Sequence, residues 1–215
     1  MTFRYSITKM AHANISNMAN YICRSTEHRT CVTVIAPNLG ITFSHGAHQT
    51  LRIGSTLSLY RVKNPDGRMF TGTVARMDAR DLILLEINPN IPIPEITFSN
   101  PEHGCEYFLL GLSSINQQLY VHSGTVGGIR VSRNGHFFGT SGSSPGDSGG
   151  ACFDKRNPRR FLGMNVGKWT QPLTEVSQFV TSAKSFHTSC KIHTQYSSGF
   201  CGIINSTAVS ISLYR

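Results

Sequence analysis

Charged residues are scarce in this chain: Asp, Glu, Lys and Arg make up 14% of its 215 residues. A helical bundle, which needs charged outer faces, fits that composition poorly. Long apolar runs are missing as well, and none approaches the roughly 20 residues a membrane-spanning helix requires. Residues 1–30, MTFRYSITKMAHANISNMANYICRSTEHRT, contain no apolar core of the signal-peptide kind, so no secretion route is expected. No Cys-x-x-Cys pair points to zinc, and neither a metal nor a cofactor is expected. Internal repeats and low-complexity segments are absent too.

What the chain does have is glycine, 20 residues of it, and short apolar segments separated by turn residues. That pattern predicts an all-β protein. Strands are expected at Cys31–Ala36, Gly40–Ser44, Ser55–Val62, Met69–Arg76 and Leu82–Ile87. A second group is expected at Glu106–Leu110, Gln118–Val131, His136–Gly139, Ala151–Phe153 and Phe161–Val166. Asn64-Pro65-Asp66-Gly67 and Arg133-Asn134-Gly135 read as hairpin turns. Ile91-Pro92-Ile93-Pro94 reads as an extended linker, because proline cannot continue a central strand. A short helix is expected near Ile15–Arg24. Another is expected at Thr174–His187, where Val176, Phe179, Val180 and Ala183 share one helical face. Gly202–Leu213 alternates partly and reads as a strand.

The net charge is +9. Lys155, Arg156, Arg159 and Arg160 cluster in a segment with the composition of a hairpin tip. No aromatics interleave with them, so only weak RNA contact through a basic surface is expected.

The most informative run is Gly146-Asp147-Ser148-Gly149-Gly150. A serine in a turn built of glycine can present its hydroxyl and the neighbouring N–H groups to a substrate carbonyl without interference from Cβ atoms. A serine hydroxyl is a poor nucleophile by itself. It needs a base, and the base needs an orienting carboxylate. Gly40-Ile41-Thr42-Phe43-Ser44-His45-Gly46 delivers a histidine at the end of an apolar strand. Asp81 opens the apolar strand Leu82-Ile83-Leu84-Leu85-Glu86-Ile87, at the rim of a core. Two neighbours compete with these residues. His48 follows His45 closely, and Asp78 precedes Asp81.

These segments resemble the chymotrypsin-like serine proteases of the double β-barrel superfamily. Ile41-Thr42-Phe43-Ser44-His45 resembles that family's Leu-Thr-Ala-Ala-His. Asp81-Leu82-Ile83-Leu84-Leu85 resembles its Asp-Ile-Ala-Leu-Leu, and Gly146 to Gly150 matches its GDSGG. The order His, Asp, Ser is the family's order. The resemblance spans about residues 30–170 and is greatest to the main, or 3C-like, serine proteases of positive-strand RNA viruses.

It implies two six-stranded antiparallel β-barrels, with a short N-terminal helix and a small C-terminal extension. The corresponding division is an N-terminal segment 1–29, a first barrel 30–95 with His45 and Asp81, and a second barrel 96–170 with Ser148. Residues 171–215 either close the second barrel or form a small appendage. Ser148 is then the nucleophile, His45 the base and acid, and Asp81 the orienter, with the N–H groups of Gly146 and Ser148 as the oxyanion hole. The Thr-x-x-His spacing favours His45 over His48, and the directly following apolar run favours Asp81 over Asp78.

The family's acidic selector of Lys and Arg substrates falls six positions before the serine, at Gly142, which has no charge to offer. The pocket wall implied by the resemblance includes Gly142, Ser143, Asn165, Gly167 and Lys168. Asn165 stands where the viral enzymes have a histidine. Asn165 and Ser143 would suit a polar P1 side chain, Lys168 an acidic one.

In cellular members the aspartate before the serine pairs with a new N-terminal amine. No Ile-Val-Gly-Gly-like start is seen, so Asp147 is expected to use local hydrogen bonds or a cation the sequence does not name. The six cysteines do not match the family's secreted disulfide framework: Gly46 follows the histidine, and Ser144-Pro145 precede GDSGG. Free thiols in a reducing compartment are expected, with Cys190–Cys201 the least improbable bridge. The expected function is serine endopeptidase action on a peptide or polyprotein, intracellular, and in host cytoplasm if viral. The alternatives are a cellular trypsin-like protease and an inactive homologue that serves as a binding module.

Overall fold

The computed structural model describes residues 15–63, 67–128, 136–170, 176–182, 200–205 and 208–213. Residues 15–18 are helical and run into a 3-10 turn, Ala19–Tyr21, whose Tyr21 is buried. Six strands follow: β1 (Ile22–Ser25), β2 (Cys31–Ala36), β3 (Leu39–Thr42), β4 (Thr56–Arg61), β5 (Met69–Asp78) and β6 (Leu82–Asn88). They close into an antiparallel barrel in the order β1-β2-β3-β6-β5-β4.

The next seven are β7 (Thr97–Phe98), β8 (Glu106–Leu112), β9 (Leu119–Gly128), β10 (His136–Gly139), β11 (Ala151–Asp154), β12 (Arg160–Thr170) and β13 (Val176–Ser182). Their sheet order is β11-β8-β9-β10-β13-β12-β7, and β11 also pairs with β12. The second sheet therefore curls until β11 meets β12, leaving β7 as a parallel addition on β12. β14 (Phe200–Asn205) and β15 (Ala208–Leu213) form a separate antiparallel pair.

Strand periodicity explains why several segments read as continuous apolar runs. Along β2, Val32 and Val34 fill the first barrel with Leu57, Leu59, Phe70, Ile83 and Leu85. Cys31 and Ile35 point the other way, into a second core shared with Leu110, Ala151, Phe153, Phe161 and Met164 of the second sheet. β6 divides likewise: Ile83, Leu85 and Ile87 line the first barrel, while Leu82 and Leu84 face the shared core. Alternate residues of a strand face opposite sides, so strands buried on both faces must be apolar throughout. Each fully buried Leu, Ile or Phe contributes about 1.5–3 kcal/mol. The shared core is what presses one sheet against the other.

Three expectations fail. The helix expected over Ile15–Arg24 ends at Tyr21, and Ile22–Ser25 is a strand that pairs with both β2 and β4. The barrel thus begins inside the segment expected to lie outside it. The helix expected over Thr174–His187 is instead the strand β13 across Val176–Ser182, paired to β10 and β12. The single strand expected over Gly202–Leu213 is part of the β14–β15 pair. Residues 64–66 and 129–135, which hold most of the two expected hairpin turns, lie outside the described residues. Residues 90–96, with the Pro-rich linker, carry no regular structure, and Ile91 is buried in the first core.

Candidate active site

β3 ends at Thr42, and three residues later the chain presents His45 before a 3-10 turn, Gly46–His48. The His45 ring leans on buried Phe43, with centroids 4.5 Å apart. Asp81 sits immediately before β6 in a left-handed conformation, φ +64°. That region is uncommon outside glycine, though Asp and Asn tolerate it better than most. Its turn is braced from both sheets. His136 of β10 donates from Nε2 to the Arg80 carbonyl at 2.9 Å, and the Arg80 guanidinium grips Asp78 at 2.7 and 2.6 Å.

The two segments converge on one carboxylate. His45 Nδ1 donates to Asp81 Oδ2 at 2.6 Å. Oδ1 accepts three more hydrogen bonds: Ser44 N–H at 2.8 Å, Ser44 O–H at 2.8 Å and His45 N–H at 2.9 Å. Burial alone would raise the Asp81 carboxyl. The hydrogen bonds from His45 and Ser44 outweigh it and hold Asp81 below the ordinary carboxylate range. With Nδ1 carrying a proton for Asp81, Nε2 is the free acceptor on the ring. It lies 3.3 Å from Ser148 Oγ, whose O–H donates to it.

Ser148 reaches that position because the turn around it is pinned to the first barrel. Thr33 of β2 donates its hydroxyl to the Gly149 carbonyl at 2.7 Å. A Cβ on Gly149 would collide with the Cys31 carbonyl, and one on Gly146, at φ +103°, with the Leu112 carbonyl. Both positions therefore require glycine. Around the serine, the N–H groups of Asp147, Gly149 and Gly150 donate to Ser144, Asn165 and Asp147 carbonyls at 2.8–3.0 Å. Among the described residues, no hydrogen bond uses the N–H of Gly146 or of Ser148. Two unused donors flanking a nucleophile can stabilise an oxyanion.

The competing residues are occupied elsewhere. His48 is fully buried: Nδ1 donates to the Phe43 carbonyl at 2.8 Å, and Nε2 accepts from Thr30 Oγ1 at 2.8 Å. Burial pushes its pKa down, so it stays neutral. Asp78 is taken up by Arg80.

A cavity of about 400 Å³ opens beside His45 and Ser148, bordered also by His28, Arg29, Ser114 and Gln117. None of Gly142, Ser143, Asn165 or Gly167 lines it. Asn165 is fully buried and donates from Nδ2 to Ser143 Oγ at 3.0 Å. Gly142 has φ +70°, and Gly167 sits at a register shift between β12 and β13. Lys168 lies on β12, and its side chain is outside the described residues.

Sequence reasoning missed Thr33, Ser44, His122 and His136. His122 Nε2 lies 3.1 Å from Asp147 Oδ2. No sequence motif marks any of the four, because each meets its partner only on folding: Thr33 and His136 reach between the two sheets, while Ser44 and His122 act within one. Cys23, Cys31, Cys105 and Cys152 are free thiols. The side chains of Cys190 and Cys201 are outside the described residues. In the basic cluster, Lys155 pairs with Glu106 at 2.9 Å and Arg160 with Asp154 at 3.2 Å. Among the described residues, no group of His, Cys, Asp or Glu converges as metal ligands would, and no helix is long and apolar enough to cross a membrane.

Comparison with known proteins gives the same direction. Among curated proteins, no sequence matches. The serine endoprotease of Yersinia pestis superposes with a TM-score of 0.66 at 18% identity, covering 90% of this chain and 71% of that one. The MamO protease domain from Magnetospirillum magneticum gives 0.62 at 15% identity, covering 80% and 97%. An inactive form of Rv3671c from M. tuberculosis H37Rv gives 0.61 at 16%, covering 83% and 89%. At such identities the likeness is one of fold. The family of trypsin-like peptidase domains matches at the level of sequence, over residues 30–164, which is more than half of the chain. The chain belongs to the trypsin-like peptidase domain family and is a serine protease.

Proposed function

We propose that the chain is an endopeptidase that cleaves through an acyl-enzyme on Ser148. The observation that carries this is the continuous relay from Asp81 to His45 to Ser148, at 2.6 and 3.3 Å. Ser148 Oγ attacks the scissile carbonyl carbon while its proton passes to His45 Nε2. Asp81 holds the imidazolium that results, and the N–H groups of Gly146 and Ser148 receive the negative oxygen. His45 then gives the proton to the departing amine as the C–N bond breaks. Water attacks the acyl-enzyme with His45 again as base, which frees the acid and regenerates Ser148. The cavity beside Ser148 leaves room for substrate next to the relay.

The resemblance assigns substrate selection to Gly142, Ser143, Asn165, Gly167 and Lys168, although none of the first four borders the cavity beside Ser148. With glycine at 142, a basic P1 side chain meets no counter-ion there. Asn165 is spent on Ser143, so it acts as a brace, and a polar P1 group would be read by Ser143.

Two settings remain in contention. The resemblance to viral main proteases and the four free thiols support processing of a viral polyprotein. The solved structures named above are bacterial and support a cellular protease instead. Self-cleavage at a junction fused to the chain supports the first; cleavage of peptides without it supports the second.

The test of the chemistry is labelling with a fluorophosphonate, read by intact mass. One adduct on the wild type, absent from Ser148→Ala and His45→Ala, is expected. A folded wild type that takes no adduct would overturn the assignment and favour a binding module, RNA included.

A further inference from the structure

Asp147 is 1% exposed, directly beneath the turn that carries Ser148. Its Oδ2 accepts the Ser144 N–H at 2.7 Å. Its Oδ1 rests against Gly111 of β8, where a Cβ would overlap it. One backbone donor does not compensate a carboxylate taken out of water; a buried charge needs a partner of opposite sign. Burial accordingly pushes the Asp147 carboxyl upward.

The groups around it narrow the choice of partner. Cys31 of β2 and Cys152 of β11 act on Asp147 electrostatically, but burial holds both thiols protonated, and a thiol is never a cation. The remaining group is His122 of β9. Its Nε2 is 3.1 Å from Asp147 Oδ2, within ion-pair distance. That nitrogen is sealed from solvent and, among the described residues, has no hydrogen-bond partner. The Tyr120 ring stacks against the imidazole, with centroids 6.4 Å apart.

We propose that His122 is the partner that anchors Asp147, and that through Asp147 it positions the N–H groups of Gly146 and Ser148. The inference rests on the reading of Ser148 as nucleophile. It makes His122 a positioning residue, contributed from within the second sheet and available without any cleaved N-terminus. Asp147 is the residue between the two donors, so any shift of its side chain is transmitted to both. Oxyanion donors act in the transition state, so their misplacement lowers kcat and leaves KM nearly unchanged.

The test compares the wild type with His122→Gln, Asp147→Asn and the double variant. Readouts are peptide hydrolysis, thermal midpoint and hydrogen exchange at the Asp147 and Gly150 amides, which donate within this turn. In His122→Gln, kcat should fall by about 10–100-fold, up to the loss of one oxyanion donor, with KM within about twofold. The two amides should exchange faster. The double variant, which buries no charge, should recover part of the loss, so the single effects will not multiply. Wild-type kcat with unchanged exchange in His122→Gln, or losses that simply multiply, would overturn the proposal. Failure of the wild type to take a fluorophosphonate would instead overturn the reading of Ser148, whatever the exchange shows.

Discussion

The Thr33 hydroxyl donates a 2.7 Å hydrogen bond to the Gly149 carbonyl, from the first barrel into the turn that carries Ser148. Thr33 is the polar member of an otherwise apolar strand and is fully buried. His45 and Ser148 belong to different sheets, so their 3.3 Å separation depends on how the sheets register. The apolar core between them supplies adhesion but little direction. The Thr33 bond supplies direction.

Thr33→Val keeps the shape and removes the donor. A carbonyl left unsatisfied in a buried site costs about 1–3 kcal/mol. The urea midpoint should fall accordingly, and kcat should fall several-fold with a smaller change in KM. Unchanged kcat in a destabilised variant would restrict Thr33 to a role in stability.

Asp81 makes a prediction with a definite sign in pH. Its carboxyl is held below its ordinary value of 3.8 in the folded state. The ionised form is therefore favoured by folding, and this contribution is present above that ordinary value. It is lost as pH falls through the folded value. The stability difference between wild type and Asp81→Asn should shrink below about pH 4, as read by denaturant melts across pH. The same substitution leaves the His45 ring without its carboxylate, and in the Ser-His-Asp template such a change costs about 10⁴ in kcat.

How much of this was legible in sequence depends on whether a feature is local. Gly146 to Gly150 is local: glycines are needed where the backbone passes against the Leu112 and Cys31 carbonyls, and the order of residues records that. His45 and Asp81 were legible because each lies at the end of an apolar strand. β13 was not. Val176, Phe179, Val180 and Ala183 have helical spacing, yet pairing with β10 and β12 on both sides outweighs periodicity in so short a segment. β1 was hidden for a related reason: four residues containing Arg24, directly after a helical turn, form a strand only because β2 and β4 flank them. His122 on β9 carries no local mark, since its meaning comes from Asp147, which is 25 residues away in sequence and 3.1 Å away in space.

The thiols separate by burial. Cys31 and Cys152 are held far above the ordinary thiol range, Cys23 is pushed up to about 12, and all three are buried. Cys105 is partly exposed. Peptide mapping after a brief alkylation of the native protein should find Cys105 modified first among these four, and the others only after unfolding. Activity should be unchanged by the alkylation. Rapid modification of Cys31 or Cys152 would show that the core between the sheets opens.

His136 and Arg80 both brace the turn that holds Asp81, but by different parts of Arg80. His136 Nε2 donates to the Arg80 carbonyl, and the Arg80 side chain binds Asp78. Arg80→Ala removes the second and keeps the first. The carbonyl still meets His136, so kcat should change less than about threefold. His136→Phe removes the first bond from a largely buried position. Asp81 is held at φ +64°, a conformation that costs an ordinary residue about 1–2 kcal/mol and persists only while its surroundings fix it. With His136 gone, the turn can relax and withdraw the carboxylate from His45, so kcat should fall by about tenfold, equivalent to about 1.4 kcal/mol of barrier. Fluorophosphonate labelling should slow in the same proportion, since it too depends on the His45–Asp81 pair. If Arg80→Ala proves the more damaging of the two, the ion pair with Asp78 and not the bond from β10 fixes Asp81.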